Sequence, residues 1–222
     1  VSNCNADDPT PTGVLTIAAG YTGTITQSSD MYIEGFALTG GLFAFNTQYW
    51  VYCSGNFNYK LSNFNGENLN IKMLRDETLI EIPQNKFINN LYIDANVTYH
   101  YTGGTSISTI LRLTITEHHT LTIYPGQTLN VGSYAFKFEN YGLISGSSGS
   151  LVQICLWPAD KSAYLGHIAA NVTLATHSSA TAERKLTLLN NTDIDGVLEI
   201  RSWHTTRTCT LDLNGYDLEC DS

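Results

Sequence analysis

One short phrase governs what this chain can fold into. Leu113-Thr-Ile115 returns eight residues on as Leu121-Thr-Ile123, and eight further on as Leu129-Asn-Val131. Each is apolar, polar, apolar, the period-two signature of a strand with one buried face. The phrase also returns at a longer interval. Leu69, Leu91 and Leu113 are 22 apart, as are Ile71, Ile93 and Ile115. Three beats of eight make one turn of about 22–24 residues. That arithmetic predicts an all-β parallel β-helix of triangular section. Each turn supplies three short strands, and each strand stacks on its counterpart one turn away at about 4.8 Å. Leu and Ile then form interior columns, while the Thr, Asn or Tyr between them points outward.

Period-two segments run along the whole chain: Val14-Leu-Thr-Ile17, Met31-Tyr-Ile33, Phe43-Ala-Phe45, Leu186-Thr-Leu188 and Leu211-Asp-Leu213. Gly, Asn, Ser and Pro separate them, as turns require. Helical patterning is confined to Asp160 to Ala170 and Ala180 to Lys185, enough for a turn or two. The repeat drifts. A further 22 from Leu113 and Ile115 reaches Ala135 and Lys137, one short of Phe136 and Phe138, and Leu186 and Leu211 are 25 apart. Loop insertions produce such drift in a solenoid. Strands at this spacing also fit an antiparallel β-sandwich or jelly roll, which stays open as the alternative. The 22-residue return favours the β-helix. Residues 1–13, with Pro9 and Pro11, read as an extended N-terminal arm, and 14–222 as a single β-rich domain.

Composition narrows the function classes. Of 222 residues only 14% are charged, against about a quarter in ordinary domains, while Ser and Thr number 44 and Asn 19. The surface is therefore made polar by hydroxyls and amides, as in secreted and cell-surface β-proteins, and an extracellular location is expected. The net charge is -9 and Lys and Arg form no cluster, which argues against a nucleic-acid partner. No run of about 18 apolar residues occurs, so no membrane-spanning segment is expected. No basic-then-apolar leader opens the sequence; if the protein is exported, this reads as its mature form.

Five cysteines are present: Cys4, Cys53, Cys155, Cys209 and Cys220. None forms C-x-x-C and no His sits at zinc-ligand spacing from a Cys pair, so neither a metal centre nor a cofactor is expected. Wide spacing and a hydroxyl-rich surface suit disulfides in an oxidising compartment, with buried free thiols as the alternative. An odd count leaves one thiol over, free or bonded to another chain.

Two stretches, LTIYPGQTLNVG and CTLDLNGYDLEC, resemble the right-handed β-helix segments of bacterial and archaeal cell-surface and adhesin-like proteins. The resemblance covers residues 65 to 145 and 185 to 220. It is one of repeat style and carries no catalytic motif. What it implies is a β-helix in a cell-surface setting.

Reactive constellations are sparse. The nucleophile elbow, P-loop, zincin and dinucleotide fingerprints are all missing. Gly146-Ser-Ser-Gly-Ser150 reads as a turn. Glu117-His118-His119 falls between two beats, and adjacent strand residues face opposite ways, so a solvated corner is expected there. Asp193 and Asp195 flank Ile194 and would share a face; Asp212 and Asp217 are a second pair. Such carboxylates serve a polysaccharide lyase or hydrolase when joined by Ca²⁺ and a basic residue. The turn-like N-N-T-D-I-D-G context explains them more simply. No catalytic residue is assigned, and the chain is not expected to be an enzyme. N-x-[ST] sequons at Asn96, Asn171 and Asn190 do not exceed the about four that chance supplies, so they permit glycosylation without arguing for it. Tyr49, Trp50, Tyr52 and Phe57 cluster around Cys53, and Tyr99 and Tyr101 flank His100. As an exposed strip these aromatics would stack on sugar rings; buried, they would serve the core or a subunit contact.

A β-helix has two open ends whose unpaired backbone and apolar cross-section need a cover. The last beat, Leu211-Asp-Leu213, is followed by no amphipathic capping helix. Stacking on a second copy, or addition of the N-terminal arm as a strand, would cover the ends. Cys4 near one end and Cys209 and Cys220 near the other would lock the joint. The expected function is a structural subunit of an extracellular homopolymer: a filament, sheath or surface layer. The alternatives are an adhesin or carbohydrate-binding module with glycans as partner, and a polysaccharide lyase or hydrolase.

Overall fold

The computed structural model describes residues 13–102, 109–132, 136–147, 149–157 and 159–221, so the N-terminal arm and Cys4 lie outside the described residues except for Gly13. Regular structure among the described residues is strand throughout, with no helix. The chain winds through about nine turns. The first turn is β1 (Val14–Ile17), β2 (Thr24–Thr26) and β3 (Met31–Ile33), and the second is β4 (Gly35–Leu38), β5 (Leu42–Ala44) and β6 (Trp50–Cys53). The third holds β7 (Phe57–Tyr59) and β8 (Asn70–Met73). In the fourth and fifth, β9 (Thr78–Pro83) leads into a long β10 (Phe87–Ile93), and β11 (Val97–Thr102) into a long β12 (Thr109–Ile115). Three-strand turns then resume with β13 (Thr120–Ile123), β14 (Thr128–Gly132) and β15 (Lys137–Asn140), followed by β16 (Leu143–Gly146), β17 (Leu151–Leu156) and β18 (Lys161–Ala163). The last are β19 (His167–Ala169), β20 (Asn171–Thr176) and β21 (Arg184–Leu188), then β22 (Thr192–Ile194), β23 (Leu198–Ser202) and β24 (Cys209–Asp212), and finally β25 (Leu218–Cys220).

The strand pairs are parallel, which selects the solenoid over the antiparallel sandwich. The first face is one ten-stranded sheet, β1-β4-β7-β9-β11-β13-β16-β19-β22-β25. The long β10 and β12 bend across the other two faces. Their first residues align with β14 (Ile88, Ile110, Val131) and their last with β15 (Leu91, Leu113, Phe138). This joins β3-β6-β8 on the third face to β14-β17-β20-β23 on the second, in another ten-stranded sheet. The opening triplet is therefore one turn: Leu113, Leu121 and Leu129 lie on three successive faces.

The 22-residue return holds from Leu91 to Leu113 but not before or after. Leu91 pairs with Ile71, 20 residues back, rather than with Leu69, and Leu113 pairs forward with Phe138, 25 residues on. Register follows whichever residue faces the core, and corner loops absorb the difference. Leu186 and Leu211, 25 apart, are direct partners. The two segments with helical patterning supply β18, β19 and the start of β21 instead; stacking on neighbouring turns overrides a weak local preference.

Inside, the columns are continuous. Met31, Val51, Ile71, Leu91, Leu113 and Phe138 form one. Val97, Leu121, Ile144, Ile168, Ile194 and Cys220 form another. Nearly all members are fully buried, and each large aliphatic contributes roughly 1.5–3 kcal/mol by burial. The second and third turns differ, being filled by Phe36, Phe43, Phe45, Phe57, Tyr59 and Phe64, with Phe36 stacked on Phe57 at 4.9 Å. Tyr59 keeps its hydroxyl satisfied there, accepting from Phe43 N and donating to Asn63 Oδ1.

Asn and Asp hold the corners. Oδ1 of Asp30, Asn56, Asp76, Asn96, Asp160, Asn171 and Asn191 each accepts a backbone N–H one turn ahead, at 2.7–3.1 Å. A corner lies between strands and leaves an N–H without a ladder partner; the carboxyl or amide oxygen supplies one. The corners also pass close to one another. At Gly55 a Cβ would collide with the Glu34 carbonyl of the preceding turn, so only glycine fits.

Candidate functional site

The two ends of the solenoid carry its apolar anomalies. In the last turn the interior columns stop half covered. Leu198 stacks on Val172 and Ile200 on Leu174, yet Leu198 is half-buried and Ile200 is 44% exposed, whereas Val172 and Leu174 are 1% exposed. Leu213 is 40% exposed, and Leu211 and Leu218 are only partly covered. Cys220 ends the Ile168–Ile194 column and is exposed. At the other end, Leu15, Ile25, Met31, Ile33 and Phe43 line a cavity of about 480 Å³.

The four described cysteines are free, so no disulfide joins them. Cys53 and Cys155 are buried on turns well apart, Cys209 is half-buried, and Cys220 is exposed. Burial pushes the Cys53 and Cys155 thiols up to about 11, with Cys209 close enough to Cys155 to add to its shift. Cys220 is raised too, by burial and by the carboxylates of Asp193 and Asp221. The buried-thiol alternative describes Cys53, which fills a slot in the core column between Ile33 and Met73; Cys155 is buried outside that core, in register with Gly132 and Ala175 and near Cys209.

The aromatic candidates divide. Tyr99 and Tyr101 point inward and are 0% and 4% exposed, so they belong to the core and no outer contact surface extends to them. Tyr49, Trp50 and Tyr52 are half-exposed on the third face. Tyr52 stacks on Tyr32 one turn back at 4.5 Å, nearly parallel, and Lys72 on the next turn lies over Tyr92 at 4.7 Å. The in-register run Tyr32, Tyr52, Lys72, Tyr92 is an aromatic strip with one cation in it. The sequence puts Tyr32 and Tyr92 in the outward slot of a beat, but only the register shows that Tyr32 adjoins Tyr52 and that Tyr92 follows across Lys72.

The first face carries an acidic cavity of about 450 Å³ near the last turns. Glu117, Asn140, Tyr141, His167, Asn190, Asp193, Asp217 and Glu219 help to line it, and no Lys or Arg does among the described residues. Ile194 is buried and Asp193 and Asp195 are exposed, so the two carboxylates share a face. They meet at His167 of the preceding turn: Nε2 lies 2.9 Å from Asp195 Oδ2 and 3.9 Å from Asp193 Oδ2. Asn140 holds the approach to His167, donating from Nδ2 to the carbonyls of Leu165 and His167. Sequence reading missed His167 because its partnership depends on a 26-residue offset to Asp193. The second acidic pair is not brought together as a site: Asp212 Oδ2 accepts from Lys185 at 2.9 Å, whereas Asp217 lines the acidic cavity.

Glu117 and His118 form an exposed corner, with His118 in the left-handed region at φ 65°. His119 turns back to the Thr116 hydroxyl at 2.7 Å and lies 3.9 Å from Asp94. Lys72 holds the Asp94 carboxyl below its ordinary range by a hydrogen bond, against a smaller opposing effect of burial. Of the sequons, Asn96 and Asn171 are exposed corner residues whose Oδ1 atoms are used in the clamps, and Asn190 is half-buried. Gly146-Ser-Ser-Gly-Ser150 falls partly outside the described residues, at Ser148.

Comparison with known protein families, with curated proteins and with solved structures gave no match for this chain.

Proposed function

We propose that this chain is a structural subunit of an extracellular polymer, assembled by end-on stacking of its β-turns. The observation that supports this reading is the register of the turns, which leaves the last described one able to take a further β-layer. Ile200 and Leu211, in register with the buried Leu174 and Leu186, are left half covered, as are Leu213 and Leu218. A further β-layer would bury them, each contributing on the order of 1 kcal/mol, and would pair the open edge of β23, β24 and β25. The apolar cavity at the opposite end offers a complementary surface. Contact between unlike ends is heterologous and does not close, so it propagates as a filament. In such a joint the exposed Cys220 would be oxidised with Cys4 of the next copy, which lies outside the described residues, to an intermolecular disulfide. The hydroxyl-rich surface and the resemblance to cell-surface β-helices support an extracellular setting.

Sedimentation of the purified chain with the Ile200→Asp and Leu213→Asp substitutions tests this. The parent sediments as a concentration-dependent series, and the doubly substituted chain as a monomer with unchanged circular dichroism. A parent that stays monomeric at high concentration removes the proposal.

The strip of Tyr32, Tyr52, Trp50 and Tyr92 favours a second reading as a glycan-binding face, since stacked half-exposed rings present flat apolar surface to sugars. Retardation in glycan-containing gels, lost on Trp50→Ala with Tyr52→Ala, would support it.

A further inference from the structure

We infer that His167, Asp193 and Asp195 form a binding site for a divalent transition-metal ion on the first face of the solenoid. The three side chains each present one donor atom, and these atoms all lie within 4.8 Å of one another. Ligands held by one ion at about 2.0–2.2 Å stand roughly 3–4 Å apart. His167 Nε2 already lies 2.9 Å from Asp195 Oδ2 and 3.9 Å from Asp193 Oδ2, so small rotations close the set. The side chains are about half exposed, leaving the remaining coordination positions to water.

The surroundings ask for a cation. Register places Asp193 between His167 on one turn and Glu219 on the next, and Asp195 projects beside them from the same turn. Like charges stacked directly across strands repel. Glu117 and Asp217 line the same cavity, and no Lys or Arg does among the described residues.

A second, independent feature is the supply of unused acceptors. Asn140 is fully buried and contributes to the cavity wall, and its Oδ1 has no hydrogen-bond partner although its Nδ2 makes two bonds. Asn190 Oδ1, in the same wall, is buried and without a partner as well. A buried amide oxygen left bare costs about 1–3 kcal/mol. Both oxygens are buried behind the cavity wall, where their unpaired lone pairs add to the negative potential that a cation meets on the surface. The donor set selects the metal class: an imidazole nitrogen with two carboxylates suits Zn²⁺, Mn²⁺ or Ni²⁺ and disfavours Ca²⁺, which takes oxygen ligands.

The test is calorimetric titration of Zn²⁺ into the full chain carrying Cys220→Ser, so that the exposed thiol does not compete. One ion binds per chain, Ca²⁺ competes weakly, and thermal unfolding shifts upward with Zn²⁺. His167→Ala and Asp195→Asn each weaken binding at least tenfold while leaving the far-ultraviolet circular dichroism unchanged. Absence of Zn²⁺ binding, or binding that His167→Ala leaves intact, overturns the inference and leaves the trio as an ordinary surface ion pair.

Discussion

The second and third turns and the last one obey the same register rules, yet they reach opposite outcomes. Early turns are packed with aromatic rings, from Phe36 to Phe64, each almost completely buried. In the last turn, inward-facing Ile200 remains 44% exposed, and Leu213 beyond β24 is 40% exposed. Composition does not explain this, since Ile and Leu fill the middle turns with no exposure. Position does. A residue in a solenoid is buried by the turn above and the turn below, so an inward-facing side chain with one neighbour is half finished. Core membership here belongs to the column and not to the residue.

The comparison is broken or sharpened by substitution. The largest effect is expected at Phe57, which is fully buried and packs against Phe36 and Phe45. Phe57→Ala should cost about 3–5 kcal/mol in urea unfolding. Next is a contrast within one column. Leu174 and Ile200 are direct partners on adjacent turns, 1% and 44% exposed. Leu174→Ala should cost about 2–5 kcal/mol, but Ile200→Ala less than about 1 kcal/mol in the monomer. Equal losses at the two positions would mean that the last turn is covered in solution by something else.

Thiol chemistry gives a third, smaller separation. Cys220 should react with a maleimide at neutral pH within minutes, while Cys53 and Cys155 should react only on unfolding. The alkaline limb follows from the same burial. The folded thiols of Cys53 and Cys155 are pushed from 9.0 to about 11, so between those values the unfolded chain loses protons that the folded chain keeps. Stability conferred by the neutral buried thiols is full below pH 9.0 and falls as pH rises toward about 11. Unfolding midpoints of the parent and a Cys53→Ser, Cys155→Ser chain should therefore differ in their slope above pH 9.0. The smallest effect is expected at Asp94. Its carboxyl is lowered chiefly by Lys72 and is about a third exposed. Its contribution is present above the unfolded carboxyl range and disappears as pH falls through the lowered folded value. Asp94→Asn should cost roughly 0.5 kcal/mol at neutral pH and nothing in strong acid.

Much of this architecture is legible in the residues. The beat at Leu113, Leu121 and Leu129 carries the three faces, and the odd placement of Asn and Asp between beats marks the corners that they clamp. The register is less legible, because a corner gains or loses a few residues at no cost to the columns. Leu69 and Ile71 offer two equivalent inward positions, and only packing decides that Ile71 meets Leu91. The same freedom hides His167 from Asp193 and Tyr32 from Tyr52. Exposure at the ends is equally invisible in a local pattern, since Leu211-Asp-Leu213 reads no differently from Leu121-Thr-Ile123.

The most direct test of end-on assembly is the axial repeat of the purified chain by electron microscopy, with and without reductant. Ten strands stack along the first face. Copies that continue that face without a gap should give filaments with an axial repeat of about 48 Å. Reductant should shorten them if Cys220 seals the joint. Uniform single particles at every concentration, or filaments whose repeat bears no relation to ten strand spacings, would contradict the account.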